Sequence, residues 1–342
     1  MMSTIRDVAD KAGVHASTVS RVFSGNAKIS AETQYRVMNA ARDLNFQPNA
    51  VARSLSVSQT HIIGIVIPHI YDGYFDDSFF PQIMRGLMRV AYQHEYRVLV
   101  GGSHSHKDEL SQILNMLSSR QVDGIVALSN RLDVDTVEQL YQLGAPFVLI
   151  GRPPVHHDKI SWVSTDDQRH TRQAIEYLIS LGHRRIAYVG GDPGVLVTRE
   201  RLQGYRAALT DAGIRPKDEW VNYAYFAEDG GYQGVNVLMA LDEPPTAFYC
   251  ANDLMAIGVM RGLRERGVHV PKDVSVLGTN ASPESAWVSP PLSSLRVPYA
   301  GLAAGAAQLL ITGIQKEGGP AGSHMLDSEL VIRQSTGPVS ER

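Results

Sequence analysis

Over the first 44 residues the apolar positions recur every three or four residues, the spacing that places side chains on one face of an α-helix. Ile5, Val8, Ala9 and Ala12 form one such face, Val19, Val22 and Phe23 a second, and Val37, Ala40, Ala41 and Leu44 a third. Three short amphipathic helices are therefore expected. Thr4, with Asp7 three residues on, gives the first an N-terminal capping pattern. Gly13 ends it, because a left-handed turn carries no steric penalty for glycine. Ser30 is placed to cap the third, expected over Ala31–Leu44, and Pro48 closes the head. The second helix keeps Ala16, Ser17, Ser20 and Arg21 on its outer face, all small or hydrogen-bonding. Two helices split by one turn make a helix-turn-helix, whose second helix can lie in the DNA major groove. A solvated helical hairpin would show the same pattern.

From His61 the periodicity changes. His61–Pro68 is a continuous apolar run, as in a strand covered on both faces. Strands at Tyr96–Val100, Gly124–Leu128 and Pro146–Ile150 then alternate with helical segments around Phe80–His94, Lys107–Ser119 and Val134–Leu143. The alternation restarts with strands at Trp162–Ser164, Arg185–Val189, Asn222–Tyr225, Ala247–Cys250 and Ser275–Gly278 and helices between them. Two doubly wound parallel sheets in tandem are expected, with a ligand cleft between them beyond the carboxyl ends of their strands. Ser293–Val297 and a helix over Tyr299–Ile311 are expected to return to the first unit, and Ser328–Arg333 to the second. Repeated crossings would make the cleft a hinge. The expected boundaries are 1–48 for the head and 49–60 for a connecting segment. Residues 61–161 with about 290–320 form the first core unit, and 162–289 with about 321–340 the second.

Composition narrows the function. With 342 residues, 44% hydrophobic and 20% charged, the chain can bury a sizeable core. No apolar run approaches the roughly 20 residues of a membrane helix. The N-terminus carries no signal-peptide pattern, and the only cysteine is Cys250, so a cytoplasmic protein without a disulfide framework is expected. The net charge of −3 is unevenly spread, since residues 1–60 hold seven basic side chains against four acidic ones. A basic head on an acidic body fits a DNA reader joined to a different module. The segment Asn49–Val57 is too short for a stable isolated helix, which needs about 12 residues. It is expected to be helical only when docked, although a plain linker reads the same way.

The motifs Asp7-Val-Ala-x-x-Ala-Gly-Val14, Ser17-Thr-Val-Ser-Arg21 and Asn49-x-Val-Ala-x-x-Leu55 are followed in order by weaker ones. These are Gly182-His183, Arg201-x-x-Gly-Tyr205, Ala251-Asn-Asp253, Val270-Pro-x-Asp-Val-Ser-Val276 and Glu329-Leu-Val-Ile-Arg333. Across its whole length the chain thus resembles the LacI/GalR family of bacterial transcription regulators. The resemblance implies a three-helix head, a hinge helix and a core like that of periplasmic sugar-binding proteins. It also implies a homodimer on pseudo-palindromic double-stranded operator DNA, with a small-molecule effector, a sugar by preference, in the cleft. No cofactor and no metal are implied. Ser17 and Arg21 are assigned to base edges, where an arginine can bond guanine bidentately. Thr4, Thr18, Ser20 and Asn49 are assigned to the DNA backbone. Ala16 offers only a methyl contact. Ala52 and Arg53 lie on the hinge segment with Leu55, which matches the leucine that family dimers insert into the minor groove, an apolar wedge that kinks the duplex.

In the core, Arg201 matches a family arginine that faces the effector; a surface salt bridge to Glu200 or Asp211 is the alternative. Asp166, Asn252, Asp253 and Asn280 are the other polar effector candidates. Tyr71, Phe79, Phe80 and Trp287 are the aromatic ones, each equally able to serve as core. Asn280 stands where the family often has aspartate, which favours a neutral ligand. The aromatic loop Ile70–Phe80 suggests a disaccharide or oligosaccharide, with a purine or sugar phosphate as the alternative. Two other functions compete. Catalysis would have to use Asp166-Asp167, His156-His157 or His104-x-His106, none of which has a metal-ligand or nucleophile pattern. A solute-binding protein would fit the core but not the basic head.

Overall fold

A computed structural model describes residues 3–23, 29–46, 59–67, 78–128, 133–316 and 322–340. The head is helices α1 (Ile5–Ala12), α2 (Ala16–Phe23) and α3 (Ala31–Asp43). The capping box on α1 is complete: Asp7 Oδ2 accepts from the Thr4 backbone N–H at 2.6 Å, and the Asp7 N–H donates back to Thr4 Oγ1. Gly13 ends α1 at φ 64°. Ser30 caps α3 by accepting from the Thr33 N–H. Val8, Ala9, Ala12, Val19, Val37, Ala40 and Ala41 meet in a small core. Such a core is enough because the three helices need cover only one stripe each.

The rest of the chain forms two six-stranded sheets. The first unit starts with β1 (Ile62–Ile67), α4 (Phe79–Gln93), β2 (Arg97–Gly102) and α5 (His106–Ser118). It continues with β3 (Gly124–Leu128), α6 (Val134–Gln142), β4 (Phe147–Ile150) and β5 (Ser161–Thr165). The second unit follows with α7 (Asp167–Ser180), β6 (Ile186–Gly190), α8 (Leu196–Asp211) and β7 (Val221–Tyr223). Then come α9 (Glu228–Leu238), β8 (Ala247–Cys250), α10 (Asp253–Glu265), β9 (Ser275–Thr279) and β10 (Ser293–Arg296). Helix α11 (Tyr299–Gln315) and β11 (Ser323–Leu326) return to the first unit, and β12 (Glu329–Val331) goes back to the second. The strand orders are β11-β5-β4-β3-β1-β2 and β12-β10-β9-β8-β6-β7. All pairs are parallel except β10 with β12. Both faces of each sheet are covered, which is why β3, β6, β8 and β9 are buried throughout.

Three strands lie in a different sheet from the one expected. β5 hydrogen-bonds along β4, with Ile150 opposite Val163, so the first sheet extends one strand further before the pattern restarts. β10 stays in the second sheet beside β9, and the crossing comes after it at Val297–Pro298. Its Ser293 and Ser294 are fully buried because the Oγ of Ser293 meets Thr336 and that of Ser294 donates to Asp253. β11 is a first-sheet strand in parallel register with β5, so Gly322-Ser-His-Met325, which reads like a cloning remnant, is part of the fold. The strand expected over Asn222–Tyr225 is instead Val221–Tyr223. The chain therefore crosses between units three times, after β5, after β10 and after β11. Among the described residues no helix is long and apolar enough to cross a membrane.

Candidate functional site: a cleft between two sheets and a helix-turn-helix

The carboxyl ends of the two sheets face a cleft that is open at its mouth. Its first-unit wall is Phe79, Leu128, Ile150, Gly151, Arg152, Val297 and Leu302, with Ser164 and Thr165 at the end of β5. The second-unit wall is Asp167, Leu196, Val197, Glu200, Arg201, Phe226, Ala251, Asn252 and Asn280. Tyr299, at the start of α11, stands between them.

Arg201 is almost fully buried on α8. Its Nε and one Nη each donate to Asp167 Oδ1 at 2.8 Å, and the other Nη donates to the Ala251 carbonyl. Burial is the largest single influence and opposes the guanidinium charge, but Asp167, Tyr299 and Tyr249 together outweigh it and hold the Arg201 pKa well above its ordinary value. Asp167 is completed by the Thr165 hydroxyl at 2.8 Å. Asn252 caps α10 by accepting from the Met255 N–H at 2.9 Å, and its Nδ2 donates to the Phe226 carbonyl. Phe226 is carried into the cleft by two consecutive left-handed residues, Tyr225 at φ 52° and Phe226 at φ 64°. Its ring occupies the space above Gly191, where an added Cβ would come within 1.9 Å of it. Tyr299 bridges the units, since its hydroxyl donates to Asn280 Oδ1 at 2.8 Å and also lies against Arg201. Phe79 packs edge-on to the Tyr299 ring at 4.7 Å. The result is a fixed set of donors and acceptors beside aromatic and aliphatic faces, the usual build of a small-molecule site.

On the head, α2 exposes Ser17 and Arg21, with Ala16, Thr18 and Ser20 partly exposed. The Ser17 hydroxyl meets His15 Nδ1 at 2.8 Å, and the Ser17 N–H donates to the same nitrogen, so His15 steadies the first turn of α2. Ala16 packs partly on the head core.

Residues 4–49 match the family model for bacterial regulatory proteins of the lacI family, and residues 175–336 match that for a periplasmic binding protein-like domain. Catabolite control protein A of Priestia megaterium is 32% identical over 98% of this chain and 100% of its own length. The chain belongs to the LacI family of transcriptional regulators. Among solved structures, a transcriptional regulator CelR–cellobiose complex is similar over 97% of this chain and 99% of its own, with 31% identity and a TM-score of 0.75. The lac repressor dimer bound to operator and the anti-inducer ONPF is similar over 98% and 100%, with 27% identity and a TM-score of 0.86.

Within this LacI-family core, four of the nine residues expected at the effector site line the cleft: Phe79, Arg201, Asn252 and Asn280. Four others do not. Asp166 is the N-cap of α7, accepting from the Arg169 N–H at 2.9 Å, and the next residue, Asp167, faces the cleft. A cap must turn back onto the helix end, so only one of the pair can point outward. Phe80 is buried in the first-unit core, because adjacent helical residues point about 100° apart and Phe79 takes the cleft side. Asp253 is buried beneath the cleft, where its carboxylate accepts from the Ser282 N–H and the Ser294 hydroxyl, each at 2.6 Å. Burial pushes its pKa up to about 6 against those two bonds. Trp287 is 78% exposed outside the cleft, at the end of a 3-10 turn. Tyr71 lies outside the described residues, as do Asn49, Ala52, Arg53 and Leu55 of the hinge. The partner of Arg201 is Asp167, not Glu200 or Asp211. Sequence reading missed Arg152, Asp167, Glu200, Phe226 and Tyr299. Only Asp167 carried a signal, as the neighbour of the aspartate that was chosen.

Proposed function

We propose that this LacI-family regulator is a homodimeric repressor that acts in the cytoplasm. Its affinity for operator DNA falls when a neutral sugar, a monosaccharide or disaccharide, binds between the two core units. The observation that carries this reading is the Arg201–Asp167 pair fixed beside the faces of Phe79 and Phe226. The pair's charges cancel, it forms a fixed polar part of the cleft wall, and the rings offer flat apolar surface to a sugar face. The relative solved with cellobiose supports the same ligand class. In the head, Ser17 and Arg21 read base edges, with Thr4, Thr18 and Ser20 on phosphates. Asn49, Ala52, Arg53 and Leu55 form the hinge contacts, Leu55 as the minor-groove wedge. Ligand changes the angle between units through the three crossings, and shifts DNA affinity only by its unequal affinity for the two arrangements.

The test uses the full chain and an operator selected from random duplexes. Cellobiose or ribose should raise the unfolding temperature by mass action and weaken operator binding. Tighter operator binding on adding the sugar would reverse the sign of control. A response to hypoxanthine or glucose 6-phosphate alone would replace the ligand class. Leu55→Ala should weaken binding to the selected operator and reduce its bend; unchanged affinity would remove the wedge.

A further inference from the structure

The charged groups of the cleft divide, among the described residues, into those that protein groups hydrogen-bond and those that they do not. Arg201 is satisfied by Asp167, Ala251 and Tyr299. Arg152 and Glu200 are not. Both line the cleft, Arg152 from the loop after β4 in the first unit and Glu200 from α8 in the second. Among the described residues neither makes a hydrogen bond or an ion pair. The Arg152 guanidinium lies over the Trp162 ring, 5.6 Å from its centroid, which steadies the fork while leaving its N–H edge free.

We propose that Arg152 and Glu200 are the specificity-determining pair of the cleft, through which one neutral, hydroxyl-bearing effector bridges the two units. The proposal rests on the reading of the cleft as the effector site. A guanidinium only donates and a carboxylate only accepts. One ligand that satisfies both must present acceptors as well as donors, as the hydroxyls of a sugar ring do. A phosphate or carboxylate ligand would suit Arg152 and be repelled by Glu200, and an ammonium the reverse. Because the two side chains belong to opposite units, a ligand held by both joins them.

The state of Glu200 agrees with a group held ready for a ligand. Burial, then the charge of Asp167, pushes its carboxyl up to about 7; Asp166 adds to the rise, while Arg152 and Arg201 oppose it. Against an ordinary value of 4.5, the folded chain then binds more proton than the unfolded one between those pH values. Stability from this group is therefore lost as pH rises through that window.

The first test needs no ligand. Glu200→Gln should unfold at a higher temperature than the wild type at pH 8, with the advantage disappearing near pH 4.5. A variant less stable than the wild type at pH 8 would make Glu200 a structural carboxylate and overturn the proposal. The second test measures binding of cellobiose, ribose, hypoxanthine and glucose 6-phosphate to wild type, Glu200→Ala and Arg152→Ala by calorimetry. Loss of a charged hydrogen-bond partner should weaken neutral-sugar binding roughly 10- to 100-fold in each variant. A probe that binds all three proteins equally would remove the pair from the site. Glucose 6-phosphate binding more tightly than the neutral sugars would overturn the neutral class. Hypoxanthine binding that falls in both variants would keep the pair and refute the sugar reading alone.

Discussion

The two walls of the cleft are built from different chemistry. The second-unit wall is polar and interlocked: Arg201, Asp167 and Asn252 each bond to protein groups that fix their direction. The first-unit wall is largely apolar, and among its described lining residues Arg152 is the only charged one. Hydrogen bonds demand geometry, whereas apolar contact gains with area and tolerates some sliding. A wall of fixed polar groups can orient a ligand while an apolar wall swings over it. On this comparison the second unit chooses the ligand and the first unit responds to it, with Arg152 as the exception that reads both.

The largest break in that scheme should come from Arg201→Ala. It leaves the largely buried Asp167 without its cation and with only the Thr165 hydroxyl, which should cost about 3 kcal/mol in denaturant unfolding and remove the effector response. A variant as stable as the wild type would mean that the interlocked wall is not what holds the second unit's face in shape. Gly191→Ala comes next. The new methyl must displace the Phe226 ring, at a cost of about 1–3 kcal/mol for overpacking, and ligand affinity should fall with it. Stability unchanged with affinity lost would separate the platform role of Phe226 from packing. Tyr299→Phe is the mildest. It removes the bond to Asn280 that ties the walls together, worth about 1 kcal/mol, and should speed hydrogen exchange at the crossing after β10. If exchange there stayed the same, the tie would not restrain the units.

What could be read in advance differs sharply between head and core. Helix faces, the Thr4 cap, Gly13 and Ser30 are local features, governed by neighbours within four residues, and the helices formed where the spacing placed them. The strand pattern likewise gave two α/β units, because buried parallel strands are long apolar runs. Sheet membership was another matter. β5, β10 and β11 are short, and which sheet each joins depends on partners far away in the chain.

The cleft shows the same division. Arg201 was found through its motif and Asn252 through its place before a helix. Asp166 was preferred over Asp167, and Phe80 included beside Phe79, because one step along a helix decides which way a side chain faces. Phe226 is set by two left-handed residues and a glycine 35 positions earlier. The sequence alone determined the family, the head and the alternation of strands and helices, since motifs and periodicity act over short range. The tertiary structure alone decided the crossings, the satisfied Arg201–Asp167 pair and, among the described residues, the lack of hydrogen bonds at Arg152 and Glu200. Whether a charge is paired depends on distances that no local pattern encodes.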